Sequence, residues 1–491
     1  MDDNLLFRRQ FVLTNKDKKI KSWQEIDVFD DYKIYAHPDL KVIDKTVGDK
    51  RAIMLGYAID PNNPTFSDED IVNHLITNSV SADDFINNTI SLTGRWILFY
   101  LSANEKIVIN DPATARSIYY STDELIIGTN PNIINFYKNH EQVLGSDYRE
   151  YTSSKYYNIN EYEWYSDRTA FEKIFKLMPN HYYDLVKKES EKFWTDLDYE
   201  GYEQTIDRAT DLLVASFKAL KNRNYDFIQS LTAGFDSRVV YAASSAADFD
   251  AKFFLSTMNI LDENHPDILI ANNILEDSGK ELHLVDNLAD LSPEFEDYYK
   301  KNIDHARILP KTLTIQHFVL NDDFGDNVMQ ITGNYSAVIK DNYKKHTVQS
   351  GAEISKLIGI PKQYKIFDKE FDSWIDENKE LIEQAQIYMM DLFYWEHRLP
   401  NWGTNFIANQ DIAMDEFSPF NNREFFVRLM KARRAENIDY KKIFEDIINK
   451  LDPDLMAYPI NPTGRKGQIM AYIKDHVSKR TWEQIKIMLK K

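Results

Sequence analysis

Ser230-Leu231-Thr232-Ala233-Gly234-Phe235-Asp236-Ser237-Arg238 is the stretch on which the reading of this chain turns. It stands between a strand predicted over Tyr225 to Ser230 and a helix predicted over Ser237 to Ala246. A turn of small residues there lets backbone N–H groups approach an anion, and the following helix directs its positive N-terminal end at the same point. Thr232 and Ser237 add hydroxyl donors, and Asp236 is placed to hold a magnesium ion on phosphate oxygens. Neither the Gly-x-x-x-x-Gly-Lys spacing of a P-loop nor the Gly-x-Gly-x-x-Gly dinucleotide fingerprint is present. The bland alternative is a tight turn whose Asp and Ser merely cap the helix.

Around this stretch strands and helices alternate. A helical pattern covers Ile206 to Leu220, and a second strand, Phe253 to Met258, precedes a helix over Pro266 to Asp277 with Gly279 as its C-cap. Glu281 to Val285 and Asn327 to Thr332 read as further strands. That alternation predicts a parallel sheet wrapped by helices, and beyond Phe367 the pattern is mostly helical. Upstream the texture differs: Arg95–Tyr100, Lys106–Asn110, Ser117–Tyr120 and Glu124–Gly128 are short strands separated by polar turns, a β-meander or sandwich. The expected fold is therefore an N-terminal β-sandwich followed by a parallel-sheet α/β unit with a helical C-terminal part, divided into residues 1–195 and 205–491.

Composition narrows the function. The chain has 491 residues, 59 Lys and Arg against 78 Asp and Glu, a net charge of −19, and no cysteine. The missing thiol excludes disulfides, thiolate metal sites and a cysteine nucleophile. The negative balance disfavours nucleic acid and anionic membranes as partners. No stretch reaches the ~20 apolar residues of a membrane span, and Met1-Asp2-Asp3-Asn4 does not begin a signal peptide, so a cytoplasmic protein is expected. The end, residues 463–491, reverses sign with eight basic residues against two acids, net +6.

Four stretches together resemble one family. Thr232-Ala233-Gly234-Phe235-Asp236-Ser237 is similar to the Ser-Gly-Gly-x-Asp-Ser pyrophosphate loop of ATP pyrophosphatases, and its context resembles the asparagine synthetases. Ala170 to Tyr182, which contains Lys176-Leu177-Met178-Pro179-Asn180-His181, resembles that family's segment between its two domains. Pro419-Phe420-Asn421-Asn422-Arg423 resembles its Pro-Phe-Leu-Asp helix start. Asp111-Pro112-Ala113-Thr114-Ala115-Arg116-Ser117-Ile118-Tyr119-Tyr120 is similar to a hairpin of glutamine amidotransferase domains of the N-terminal-nucleophile type. The resemblance implies ATP and Mg²⁺ as cofactors and a two-step ligase. A carboxylate attacks the α-phosphate, pyrophosphate leaves, and an amine or ammonia displaces AMP to form an amide. It implies nucleotide contacts from Ser230, Thr232, Ala233, Gly234, Phe235, Asp236, Ser237, Ser256, Met258 and Gly333, with Asp236 the metal ligand and adenine against the second strand.

Three departures shape the expectation. Glutamine-dependent members use an N-terminal cysteine as nucleophile; Asp2 stands here, so glutaminase activity is expected to be absent. The later loop, Ile331 to Lys340, has Ala337 and Val338 where the family carries acids, with Asp322, Asp323 and Asp326 upstream as substitutes or a solvated turn. The family's late lysine falls within Pro459 to Gly467, where Lys466 and, as alternate, Arg465 are the catalytic candidates. Glu396 is open to two readings, a substrate residue or a buried helix carboxylate paired with Arg398. The expected activity is an AMP-forming amide ligase joining a small-molecule or peptide carboxylate to an amine or ammonia, like the cysteine-less β-lactam synthetases and lasso peptide cyclases. Its alternatives are a catalytically degenerate nucleotide-binding or scaffold homologue and an ammonia-using asparagine synthase. Self-association is compatible with any of these.

Overall fold

The apolar runs Arg51–Ile59 and Thr93–Leu101 pair antiparallel over their whole length, from Arg51 opposite Leu101 to Ile59 opposite Thr93. A computed structural model describes them within residues 5–138, 146–159, 164–169, 171–257, 261–285, 293–303, 324–325 and 327–462. Seventeen strands are described: β1 Phe11–Thr14, β2 Gln24–Phe29, β3 Tyr32–Ala36, β4 Val42–Val47, β5 Lys50–Ile59, β6 Thr93–Leu101, β7 Lys106–Asn110, β8 Tyr119–Ser121, β9 Ile127–Gly128, β10 Ile174–Lys176, β11 His181–Asp184, β12 Glu189–Lys192, β13 Asp226–Ser230, β14 Lys252–Ser256, β15 Leu282–Val285, β16 Val328–Ile331 and β17 Asp415–Phe417. They form an antiparallel sheet ordered β10-β8-β9-β1-β3-β2, a second ordered β12-β11-β7-β6-β5-β4, and a third ordered β15-β14-β13-β16-β17.

The first two sheets pack face to face. Phe11, Leu13 and Ile34 of one meet Ile53, Leu55, Ile97, Phe99 and Val108 of the other, with the Phe11 and Phe99 rings edge to face at 6.1 Å. The outer faces are apolar too. Helices Asp68–Thr77 and Ala82–Asn87 cover Ala52, Met54 and Leu98, and helix Pro131–Lys138 covers Val12, Tyr35 and Tyr119. The result is four layers, helix–sheet–sheet–helix, and double coverage explains why β5 and β6 read as near-continuous apolar runs rather than alternating ones. The expected sandwich is present with added helical layers. The expected strand at Glu124–Gly128 shortens to β9, because Ser121 to Ile126 closes a turn through Ser121 N–H to Ile126 O at 3.0 Å.

The third sheet is parallel throughout. Helix Tyr202–Leu220 leads into β13, helix Phe235–Ala246 connects β13 to β14, and helix Pro266–Asp277 connects β14 to β15. The last begins and ends where its proline and Gly279 place it; Gly279, just beyond Ser278, has φ +70. β14 lies on one side of β13 and β16 on the other, so the connections leave β13 and β16 in opposite directions. A crevice opens at the carboxyl ends of the strands at such a point.

β17, Asp415-Glu416-Phe417, was not expected from sequence. Its first acid, Asp415, and nearby Asp411 are buried against cations that the β-layers supply. Arg95 of β6 donates to Asp411 at 2.7 and 3.0 Å and to Asp415 at 2.6 Å, and Arg116 reaches Asp415 at 3.2 Å. Burial pushes the Asp415 carboxyl up, but Arg95, Arg116 and Arg9 outweigh it and hold it below the ordinary carboxylate range. Gly56 makes the arrangement possible: at φ +99, a Cβ would stand 2.2 Å from Arg95 O and 2.7 Å from Arg116 Nε. Two of the stretches quoted above also meet here. Asn421 accepts from Ala113 N–H at 2.9 Å and donates to Asp111 and to Gly94 O at 2.8 and 2.7 Å. One apolar cluster runs from Tyr57, Ile59 and Ala113 into the helices around the parallel sheet. No helix among the described residues is long and apolar enough to cross a membrane.

Candidate functional site

The turn after β13 is held by its own hydroxyls. Ser237 Oγ accepts from Thr232 N–H at 3.1 Å and lies 2.9 Å from Thr232 Oγ1, which in turn accepts from Gly234 N–H at 3.2 Å. Ala233 N–H donates to the Asp267 carboxylate at 2.9 Å, tying the turn to the start of helix Pro266–Asp277. Ser230 Oγ donates to Ile331 O at 3.4 Å, linking β13 to β16. Phe235 turns inward and packs near Tyr440 and Phe444, at 6.5 and 6.3 Å between rings; its side chain anchors the turn rather than facing a ligand. Helix Phe235–Ala246 opens at Gly234 with no side-chain cap, so its first N–H groups are left to whatever enters the crevice. Helices Asp68–Thr77 and Pro266–Asp277, by contrast, are capped by Ser67 and His265.

A second turn, after β16, presses against the first. A Cβ on Gly333 would lie 2.8 Å from Asp236 Cβ and 3.0 Å from its carbonyl carbon, so only glycine fits. Glu416 pins this turn, accepting from Thr332 Oγ1 at 3.1 Å and from Asn334 Nδ2 at 3.0 Å. Burial pushes the Glu416 carboxyl up to about 7, against the pull of Asn334, Arg95 and Thr332. A third segment closes over the loop from the C-terminal side. Arg238, fully buried, donates to the carbonyls of Leu455, Tyr458 and Pro459 at 3.1, 2.8 and 2.9 Å, and Asn461 N–H donates to Ala233 O at 3.0 Å. Burial lowers the Arg238 guanidinium to about 10.

The structure thus brings together Ser230, Thr232, Ala233, Gly234, Phe235, Asp236, Ser237 and Gly333. Ser256 stands at the end of β14, its Oγ buried and without a hydrogen-bond partner among the described residues. Met258, Asp322, Asp323, Asp326, Arg465, Lys466 and the rest of the basic end, Asp2 and Ala170 lie outside the described residues. The open helix start offers N–H donors of the kind that fit the phosphates of a nucleotide such as ATP. Magnesium does not fit the arrangement. The carboxylate meant for it, Asp236, receives the ammonium of Lys340, Nζ to Oδ2 2.5 Å. The positions where further acids were expected carry Ala337 and Val338, packed into the core. Among the described residues no group of three His, Asp or Glu is placed to hold a metal ion.

Sequence reasoning missed Lys340, Asp267 and Glu416. Asp267 had a signal, an acid directly after the proline that opens its helix; the other two had none, because their partners lie far along the chain. Glu396 is the buried carboxylate rather than a crevice residue, but its partner is not Arg398. It accepts from Asn180 at 2.8 Å, Lys192 at 2.9 Å and Trp374 at 2.7 Å. Burial opposes its charge, yet Lys192, His181 and Asn180 prevail and hold it below the ordinary range. Arg398 instead lies over the Trp402 ring, 4.5 Å from its centre.

No family model and no curated protein matches the chain. Solved structures similar to parts of it include NMN synthetase from Francisella tularensis, at 13% identity and a TM-score of 0.19, over 29% of this chain and 59% of that one. The chain thus spans less than two thirds of that protein's length. An NH3-dependent NAD synthetase from Campylobacter jejuni is similar at 15% identity and TM-score 0.20, over 37% of this chain and 83% of that one. Glutamine phosphoribosylpyrophosphate amidotransferase from B. subtilis is similar at 9% identity and TM-score 0.24, over 67% and 71%.

Proposed function

We propose that the chain is an ATP-dependent, AMP-forming amide ligase of the asparagine synthetase type that works without glutamine hydrolysis, its amidotransferase-like domain spanning residues 1–195 and its synthetase domain 205–491. The observation that carries the reading is the turn Thr232–Ser237. It sits where the parallel sheet changes direction and opens a helix that no side chain caps. In the first step a carboxylate oxygen bonds to the α-phosphorus of ATP and the bond to pyrophosphate breaks. In the second an amine nitrogen bonds to the acyl carbon, loses a proton and expels AMP. The uncapped N–H groups at Phe235 to Ser237 are the groups that would meet the departing pyrophosphate. Ser256 is assigned to the adenosine side, and Lys466 or Arg465 is the proposed late cation. The amidotransferase-like layers serve as a scaffold, supplying Arg95 and Arg116 to bury Asp411 and Asp415.

Exchange of labelled pyrophosphate into ATP, across a panel of carboxylates, tests this reading. Exchange with at least one carboxylate, falling to background in Asp236→Ala, is the expected result. A second reading has its own support: the Asp236–Lys340 pair favours a nucleotide-binding homologue that has lost adenylation. ATP binding with neither exchange nor AMP release on every carboxylate would select it over the ligase.

A further inference from the structure

The side chain that meets Asp236 comes from a segment reshaped on its own account. Past Gly333, Tyr335 takes φ +71 and leads into a single 3-10 turn, Ser336–Ile339. Val338 and Ile339 are fully buried in the main core, and Ala337 packs against it. The turn therefore buries its apolar side chains in the core and brings the next residue, Lys340, to Asp236. Its Nζ stands 2.5 Å from Asp236 Oδ2 and 5.6 Å from the centre of the Tyr440 ring. The pair is neither sealed nor free, with side chains 23% and 33% exposed. The other oxygen, Asp236 Oδ1, is buried and has no hydrogen-bond partner among the described residues.

A magnesium ion needs oxygen ligands at about 2.1 Å in a near-octahedral shell. At this site it would have to expel an ammonium ion from Asp236, Asp267 is already engaged by Ala233 N–H, and no further acid follows from residues 337 and 338. An ammonium with three donors, by contrast, can hold Asp236 with one and turn the others towards phosphate oxygens. With Asp236 neutralised in this way, the carboxylate left beside the turn is Asp267, which is held by Ala233 N–H at 2.9 Å.

We infer that Lys340 is the resident cation of this site, so that the Thr232–Ser237 turn receives the polyphosphate of a nucleotide without a divalent metal. The inference rests on the reading of the turn as a nucleotide-phosphate site. It separates this chain from what its resemblance implied, in which Asp236 works through magnesium.

Calorimetric titration of the full chain with ATP, once in excess EDTA and once in excess magnesium chloride, tests it. Binding in EDTA at least as tight as in magnesium is expected. Lys340→Ala should weaken binding in EDTA by roughly ten- to a hundredfold, the worth of a charge-assisted hydrogen bond, and added magnesium should recover part of that loss at the freed Asp236. Lys340→Arg, which keeps the cation, should retain metal-free binding and serves as the control for folding. If wild-type protein binds ATP only with magnesium, the inference falls while the nucleotide-site reading stands. If ATP binds under neither condition, both fall.

Discussion

Replacing Arg95 with methionine probes whether the β-layers hold the parallel sheet together. Arg95 is 1% exposed. Its guanidinium makes three hydrogen bonds to Asp411 and Asp415, at 2.6 to 3.0 Å, and one to Ala115 O at 3.1 Å. Methionine keeps most of the stem and removes the charge. Asp411 would then keep Arg116 at 3.9 Å and the more distant charge of Arg9, and Asp415 would keep one arginine of the two that touch it. Removing one partner of a buried ion pair costs about 3–5 kcal/mol, because the remaining carboxylate is stranded out of water. Unfolding entropy runs at about 2.1 cal/mol/K per residue, so a cooperative unit of roughly 300 residues has about 0.6 kcal/mol/K and the midpoint should drop by about 5–8 °C. Differential scanning calorimetry at neutral pH reads this directly. Asp411→Asn in the same chain removes the stranded charge, so the double variant should lose about 1–3 kcal/mol less than the two single losses added together. A midpoint within about 1 °C of wild type, or strictly additive losses, would refute the view that these cations are what allow β17 to be a strand.

Two further perturbations bear on the second turn. Glu416 is raised from 4.5 to about 7 in the fold, so the folded chain binds its proton more tightly than the unfolded chain. Its contribution to stability is complete below pH 4.5 and disappears as pH rises through about 7, a change of about 3 kcal/mol. Glu416→Gln should remove that slope, and the gap in melting temperature between variant and wild type should widen in the variant's favour from pH 5 to pH 8; parallel profiles would contradict the assignment. Gly333→Val places methyl groups where Asp236 already stands. It should cost about 1–3 kcal/mol in stability through overpacking and abolish ATP binding by calorimetry; unchanged affinity would mean that the two turns do not form one site.

Local signals explain what was legible in the chain. Helix Pro266–Asp277 matches its predicted bounds because Pro266, Asp267 and Gly279 act within a turn of where they stand. β7 matches too, an apolar run between polar turns. The order strand–turn–helix around Thr232 needed nothing beyond such neighbours. β17 was hidden because two acids in three residues read as loop until arginines from residues 95 and 116 are set against them. The Asp111 and Pro419 stretches were visible separately, but only the folded chain shows that Asn421 joins them.

The sequence by itself determined the two kinds of sheet, the place of the turn at Thr232 and the absence of a cysteine nucleophile, all properties of residues close together in the chain or of composition. The tertiary structure decided what sits on Asp236. Lys340 is 104 residues away, and nothing in the spacing foretells that parallel pairing of β13 with β16 sets their following turns side by side. The electrostatics of a site depend on distances of a few ångströms between charges, and those distances exist only after the sheet has formed.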